Sequence, residues 1–196
     1  GPAHAVLEPA VQANLVGAGF AAVAWADFNN DGRLDLAITG SNQTRLYHNT
    51  GIGFLLDPVQ LQGAGFGSLG WADVDNDGNL DLAVAGEYHT GWSIEPVAQV
   101  YLGTAGGFAE MSTPLTPVAF AALAWADYDN DGDRDLAVAG SAEAGPVTKI
   151  YRNDGNGVFT DIQASLLGLQ AAALAWGDFD NDGRADLAVT GYFCDG

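Results

Sequence analysis

Short apolar runs rich in alanine alternate along the chain with polar connections flanked by glycine. A run such as 21 to 28, bounded upstream by Gly17 and Gly19, is too short for an ordinary helix. It reads as an inner strand covered on both faces. The pattern recurs: Ala-Val-Ala-Trp25-Ala-Asp27, Ser-Leu-Gly-Trp71-Ala-Asp73, Ala-Leu-Ala-Trp125-Ala-Asp127 and Ala-Leu-Ala-Trp176-Gly-Asp178 align without gaps. Their first aspartates lie 46, 54 and 51 residues apart. A period near 50 with short strands matches one four-stranded propeller blade per repeat.

Each unit reads in the same way. A second β-type run follows the aspartate-rich connection, over 34 to 40, 80 to 86, 135 to 140 and 185 to 191, and each is stopped by a glycine. A third covers 44 to 49, 99 to 103 and 148 to 153, with Tyr47, Tyr101 and Tyr151 in matching places. A fourth opens at Phe54, Phe108 and Phe159. The predicted fold is all-β, a propeller of four-stranded blades in one region over 1–196. The repeats fall at about 16–62, 63–115, 116–165 and 166–196, the last incomplete. Residues 5–15 read as a strand of a neighbouring or closing blade, which makes about fifteen strands. The expectation is a partial ring, completed by further chain or by association of copies, since an unfinished blade leaves a strand edge free to pair.

Composition sharpens this picture. With 48% apolar residues the chain can build a core, yet its formal charge is -19, from 25 acidic residues against 6 Lys and Arg. The acids are not spread evenly. Three fall in 27–35, four in 73–81, five in 127–135 and four in 178–186. Charge so concentrated calls for a counterion. Four divalent ions carrying +8 would move -19 to -11, still acidic, so no nucleic acid is expected as a partner. No run approaches the ~20 apolar residues of a bilayer span, so no membrane insertion is expected. The start, Gly1-Pro2-Ala3-His4, shows no basic region or apolar stretch of a secretory leader. Cys194 is the sole cysteine and has no partner within the chain.

The loops have the form Asp-x-(Asp/Asn)-x-Asp-Gly-x-x-Asp. Calcium is a hard cation that takes about six to eight oxygen ligands from carboxylates, carbonyls and water. Loop one offers Asp27, Asn29, Asp31 and Asp35, with the carbonyl of Arg33. Loop two offers Asp73, Asp75, Asp77 and Asp81, with the carbonyl of Asn79. Loop three offers Asp127, Asp129, Asp131 and Asp135, with the carbonyl of Asp133. Loop four offers Asp178, Asp180, Asp182 and Asp186, with the carbonyl of Arg184. Alternate spacing at positions one, three and five turns side chains inward, and Gly32, Gly78, Gly132 and Gly183 supply the sharp turn. Two carboxylates about 5 Å apart repel by ~0.8 kcal/mol even at the dielectric of water, so an empty loop resists closure. About four Ca2+ ions are expected, with loop one the weakest because Asn29 is neutral.

Two other readings compete. An EF-hand would need a glutamate at position twelve between helices, whereas Ile38, Val84, Val138 and Val189 stand there inside strands. Simple turn chemistry also favours Asp, Asn and Gly, but four copies in phase point to a metal. The repeated tryptophans Trp25, Trp71, Trp125 and Trp176 are expected to pack in the core. Trp92 lies outside the repeat, in an insertion over 87–96 that also carries His89. That insertion reads as an exposed loop on the face opposite the calcium loops, a candidate site for a ligand.

The motif Trp-Ala-Asp-Phe-Asn-Asn-Asp-Gly-Arg-Leu-Asp-Leu-Ala and its three relatives resemble the FG-GAP or VCBS-type repeat of integrin-α-like β-propellers. The resemblance implies calcium between a blade's first and second strands, ligands on the opposite face, and an extracellular or cell-surface module for adhesion or recognition. Such propellers commonly have seven blades, against about four here. The leading expectation is therefore a non-enzymatic module that binds a protein or a glycan, with a lectin as one case. A calcium-dependent polysaccharide-processing enzyme and a structural building block of an extracellular assembly are the alternatives. His4, His48 and His89 share no motif, and no catalytic constellation is visible.

Overall fold

The computed structural model of the chain describes residues 15–193. The expected strand over 5–15 lies, but for its last residue, outside that range, as does Cys194. The described residues form strands and no helix. The first sheet holds β1 (Ala22–Ala26), β2 (Asp35–Gly40), β3 (Gln43–Asn49) and β4 (Phe54–Leu56), with β5 (Leu61–Gln62) paired on β3. The second holds β6 (Gly65–Ala72), β7 (Asp81–Thr90), β8 (Ser93–Thr104) and β9 (Gly107–Met111). The third holds β10 (Ala119–Ala126), β11 (Asp135–Ala142), β12 (Gly145–Asn153) and β13 (Phe159–Asp161). The fourth holds β14 (Gln170–Gly177) and β15 (Asp186–Tyr192). Pairing is antiparallel throughout, in chain order within each sheet. These sheets are the blades of an open arc.

The observed strands are not the expected set. β5 lies in the connection between the first two blades, where the sequence pattern showed no strand. That connection runs between two sheets, so its backbone groups must find partners. Thr44 Oγ1 donates to Gln62 O at 2.7 Å, and the Gln62 N–H donates to Tyr101 Oη at 2.9 Å. The matching tyrosines do the same elsewhere: Tyr47 Oη accepts the Val16 N–H and Tyr151 Oη the Thr116 N–H.

The insertion over 87–96 is a second correction. It is not a loop but an extension of β7 and β8, paired through Glu87↔Pro96, His89↔Ile94 and Thr90↔Ser93. Gly91, at φ 66°, takes the first position of the two-residue turn, a place that suits glycine in a tight hairpin. Trp92 stands fully exposed at the tip. His89 is anchored instead, with its Nε2 2.8 Å from Glu87 Oε1 and its backbone bonded both ways to the Asn42 side chain.

Each inner strand of the second to fourth blades begins with a shift in register, at Gly65/Ser68, Ala119/Ala122 and Gln170/Ala173. Phe66, Phe120 and Ala171 sit in these bulges at positive φ, as does Phe20 at the same place before β1. Phe20 stacks on Phe66 at 3.7 Å between centroids, and Phe66 meets Phe120 at 5.2 Å.

The core lies between blades, because strand side chains alternate between the two faces of each sheet. Phe28, Ala37 and Leu46 of the first blade meet Leu69, Trp71, Leu82 and Val84 of the second. Ala72, Val74, Ala83 and Ala85 of the second blade meet Leu123, Trp125, Leu136 and Val138 of the third. Each tryptophan is the wedge. Trp71 stacks on Phe28 at 5.4 Å, Trp125 lies against Gly70, and Trp176 stacks on Tyr128 while its Nε1 donates to Ala124 O at 3.0 Å. Core packing thus holds for Trp71 and Trp125, each partly buried against a core cluster, while Trp176 is half-buried against Tyr128. Trp25 departs from it, being 55% exposed, since no blade stands in front of it among the described residues.

Candidate metal centres

Each loop is folded by its first aspartate. Asp73 accepts the Asp77 N–H through Oδ1 at 3.1 Å and the Gly78 N–H through Oδ2 at 3.0 Å. Asp27, Asp127 and Asp178 hold their own loops by the same two bonds. The glycines at position six have φ between 84° and 98°, where a β-carbon is penalised. Position four is asparagine in every loop, at φ 57–61°, which asparagine tolerates best after glycine.

The ninth residue ties the loop to its sheet. Asp81 Oδ2 accepts the Val74 N–H at 2.7 Å and Oδ1 the Gly103 N–H at 2.8 Å. Asp135 accepts from Tyr128 and Asn153 in the same way. Both are fully buried, and burial pushes each carboxyl up to about 6 against the opposing pull of these N–H donors. Asp35 is also buried and raised by desolvation, but it receives only the Asn49 N–H, at Oδ1. Its Oδ2 is buried without a hydrogen-bond partner. Asp186 is exposed, since no third strand covers it among the described residues.

Positions one, three and nine converge. Ligand oxygens of Asp73, Asp75 and Asp81 lie within 4.8 Å of one another, as do those of Asp127, Asp129 and Asp135, and of Asp178, Asp180 and Asp186. In loop one the third position is Asn29, whose Oδ1 accepts the Asp31 N–H and whose Nδ2 lies 3.1 Å from His48 Nδ1. Position five stands apart. The Oδ1 atoms of Asp31, Asp77, Asp131 and Asp182 accept the N–H of Arg33, Asn79, Asp133 and Arg184. In three of these loops the other oxygen is held by the side chain of that seventh residue: Arg33, Asn79 or Arg184. The bond from the Asn79 backbone holds Asp77 below the usual carboxylate range, and the Arg184 side chain does so for Asp182. Burial, followed by the neighbouring charge of position five, raises Asp75 and Asp129.

Clustered carboxylate oxygens without nitrogen or sulfur suit a hard divalent ion, and the donor set fits calcium. The orphaned Asp35 Oδ2 adds a buried acceptor to loop one, where Asn29 removes a charge.

The loops are also joined to one another, which the spacing of acidic residues did not reveal. Asn30 Nδ2 donates to Gly78 O at 3.3 Å, Asn76 Nδ2 to Asp133 Oδ1, and Asn130 Nδ2 to Gly183 O at 3.0 Å. The signal was present in the sequence as the one residue between positions one and five that is identical in all four loops.

Residues 27–84, 73–138 and 127–189 match the model of the FG-GAP-like repeat, which together span most of the chain. The chain belongs to the FG-GAP-like repeat family. Among solved structures it is similar to a lectin from Agrocybe aegerita described as specifically recognising non-reducing terminal N-acetylglucosamine. That likeness has a TM-score of 0.57 and 23% identity, covering 86% of this chain and 46% of the lectin. The chain thus spans under half of the length of that structure. No curated protein matches it.

Proposed function

We propose that this chain is a calcium-stabilised β-propeller module that recognises a glycan outside the cell and carries no catalytic activity of its own. The observation that carries the reading is the gathering of first, third and ninth carboxylates within 4.8 Å in three successive loops. Such groups repel when bare and are stabilised by a divalent ion. About four ions, one per loop, is the proposed stoichiometry.

For the glycan, support comes from the lectin of similar fold and from a cavity of about 550 Å³ between the first two blades. It is lined by the partly exposed ring of Phe108, over the buried Phe28, and by the polar groups of Asn29, His48, Asp57 and Asn79. A ring offers a face to sugar C–H groups, and amides and carboxylates offer partners to hydroxyls. Both described histidines already serve structural bonds, His48 to Asp57 at 2.7 Å and His89 to Glu87, which favours binding over catalysis.

The test is calorimetric titration of metal-stripped protein with calcium, followed by glycan-array binding with and without chelator. Heat of binding and chelator-sensitive glycan signals are expected. Glycan signals absent in calcium would overturn the lectin reading, and turnover of an acidic polysaccharide would replace it with the enzymatic one.

A further inference from the structure

The third and fourth strands of the second and third blades carry matching side chains on the face turned toward the preceding blade. Tyr101 stands opposite Glu110 and Tyr151 opposite Asp161, and the two hydroxyls bond the incoming connections at Gln62 and Thr116. Two residues before each tyrosine, on the same face, are Gln99 and Lys149. In the third blade the set is a closed ion pair, with Lys149 Nζ 2.9 Å from Asp161 Oδ2. In the second blade the ammonium is missing. Gln99 Nε2 donates instead to Val100 O at 3.0 Å and to Met111 O at 2.6 Å. Glu110 is exposed and has no ion-pair partner among the described residues.

Glu110 lines a cavity of about 540 Å³, where the connection through Gln60 and Gln62 passes over the second blade. The partly exposed rings of Tyr88 and Phe108 stand in its wall with Glu95. Glu95 receives only a neutral donor, Thr90 Oγ1 at 3.2 Å. All six Lys and Arg lie among the described residues, and none lines this cavity. The strand from Glu95 to Tyr101, the residue opposite Glu110, spans about 20 Å. The two carboxylates are therefore too far apart to share one metal ion.

We propose, on the reading of this chain as a glycan-binding module, that the cavity takes an oligosaccharide of amino sugars. One free ammonium of the sugar sits on Glu110 as Lys149 sits on Asp161, and another reaches Glu95. The rings of Tyr88 and Phe108 offer faces to sugar C–H groups, and the amides of Gln60 and Gln62 offer partners to hydroxyls. An acetylated amine brings no charge to these carboxylates, and a uronic acid is repelled by them. Because a charge-assisted hydrogen bond is about twice as strong as a neutral one, preference for the free amine is the signature of this site.

Calorimetric titration of the full chain in saturating calcium, at about pH 6 where amines are protonated, compares a glucosamine oligomer with the N-acetylglucosamine oligomer of the same length. The free-amine form is expected to bind about tenfold more tightly. Glu110→Gln should remove that preference and Glu95→Gln weaken it; both positions are exposed, so the circular dichroism spectrum should not change. Gln99→Lys should also remove it, because the chain's own ammonium then pairs with Glu110 as in the third blade. Glu143→Gln, exposed and outside the cavity, should change nothing, which separates a seat on Glu110 from the general pull of an acidic surface. Equal affinity for the two oligomers would overturn this site, as would a preference that survives Glu110→Gln or Gln99→Lys. A lysine-rich peptide that outcompetes the amino sugar, and does so only with Glu110 present, would overturn the sugar as occupant. Acetylated glycans bound without preference for the amine would leave the lectin reading standing, whereas silence of both oligomers and of the whole glycan array would overturn the two together.

Discussion

Asp81 accepts the backbone N–H of Val74 through Oδ2 at 2.7 Å, so the last residue of loop two holds the second one in place. The carboxylate that makes this bond is fully buried, and with Asp135 it is pushed up to about 6 from an ordinary value of 3.8. In chelator, the folded protein therefore binds protons in this window that the unfolded chain has already released. Stability from this source is full below the unfolded value and is lost as pH rises through about 6. Thermal melts in chelator should show a higher Tm near pH 4 than near pH 6.5. Saturating calcium should reverse that slope, because protons then compete with the ion. Asp77 and Asp182, held low, act in the opposite sense only below the usual carboxylate range.

Loop one already shows what an amide does at position three, since Asn29 Oδ1 accepts the Asp31 N–H at 3.0 Å just as Asp75 Oδ1 accepts the Asp77 N–H at 3.2 Å. Asp75→Asn should leave the fold in chelator unharmed while lowering calcium affinity at that loop about tenfold, roughly 1.4 kcal/mol. Asn29→Asp should raise the affinity of loop one by a similar factor. Calorimetric titration of the two variants beside the unmodified chain reads both changes, and an equal shift at every loop would contradict them.

Tyr101→Phe removes the hydroxyl that accepts the Gln62 N–H and leaves that donor without its partner in the connection between blades. A loss of about 1–3 kcal/mol is expected in denaturant unfolding. Tyr151→Phe should cost at least as much, because Tyr151 Oη also donates to Thr116 Oγ1 at 2.9 Å.

Two glycines separate steric crowding from backbone conformation. A β-carbon on Gly67 would stand 2.1 Å from the Ala85 carbonyl oxygen, so Gly67→Ala must displace backbone and should cost about 2 kcal/mol or more. Gly78 has open space around it but φ 88°, so Gly78→Ala should cost only the ~1–2 kcal/mol of a left-handed non-glycine residue. Equal losses in the two variants, measured by chemical unfolding in chelator, would show that crowding at the bulge is relieved elsewhere.

Much of this architecture was legible in the chain because the repeat imposes it. The offset from Trp71 to Asp73 and on to Asp81 places a strand, a loop and a second strand without reference to any distant contact, and three more copies repeat it. What stayed hidden depends on neighbours. Trp25 and Trp125 share the flanks Ala-Trp-Ala-Asp, and the exposure of Trp25 follows from the lack of a preceding blade among the described residues. The hairpin to Trp92 is not legible in the repeat because it is an insertion outside it, although Glu87 and His89 sit on paired strands and Glu87 is buried. At the sites, residue types showed which oxygens were on offer but not their directions. The turn of Asp31, Asp77 and Asp182 toward their seventh residues is settled by local hydrogen bonds. The stack of Phe20, Phe66 and Phe120 had a signal, a phenylalanine five residues before the tryptophan in three repeats, whose meaning needed the bulges to be seen.

The asparagines that pass from one loop to the next make the arc more than a row of separate loops. The backbone at Gly78 and at Gly183 is tied to the preceding loop through Asn30 and Asn130, so a change of shape in one loop bears on its neighbour. A line of units coupled only to nearest neighbours passes a local change along one junction at a time. In loop four, where Asp186 stands open to water among the described residues, the ninth carboxylate anchors its loop in a wetter setting than the buried Asp81 and Asp135 do theirs.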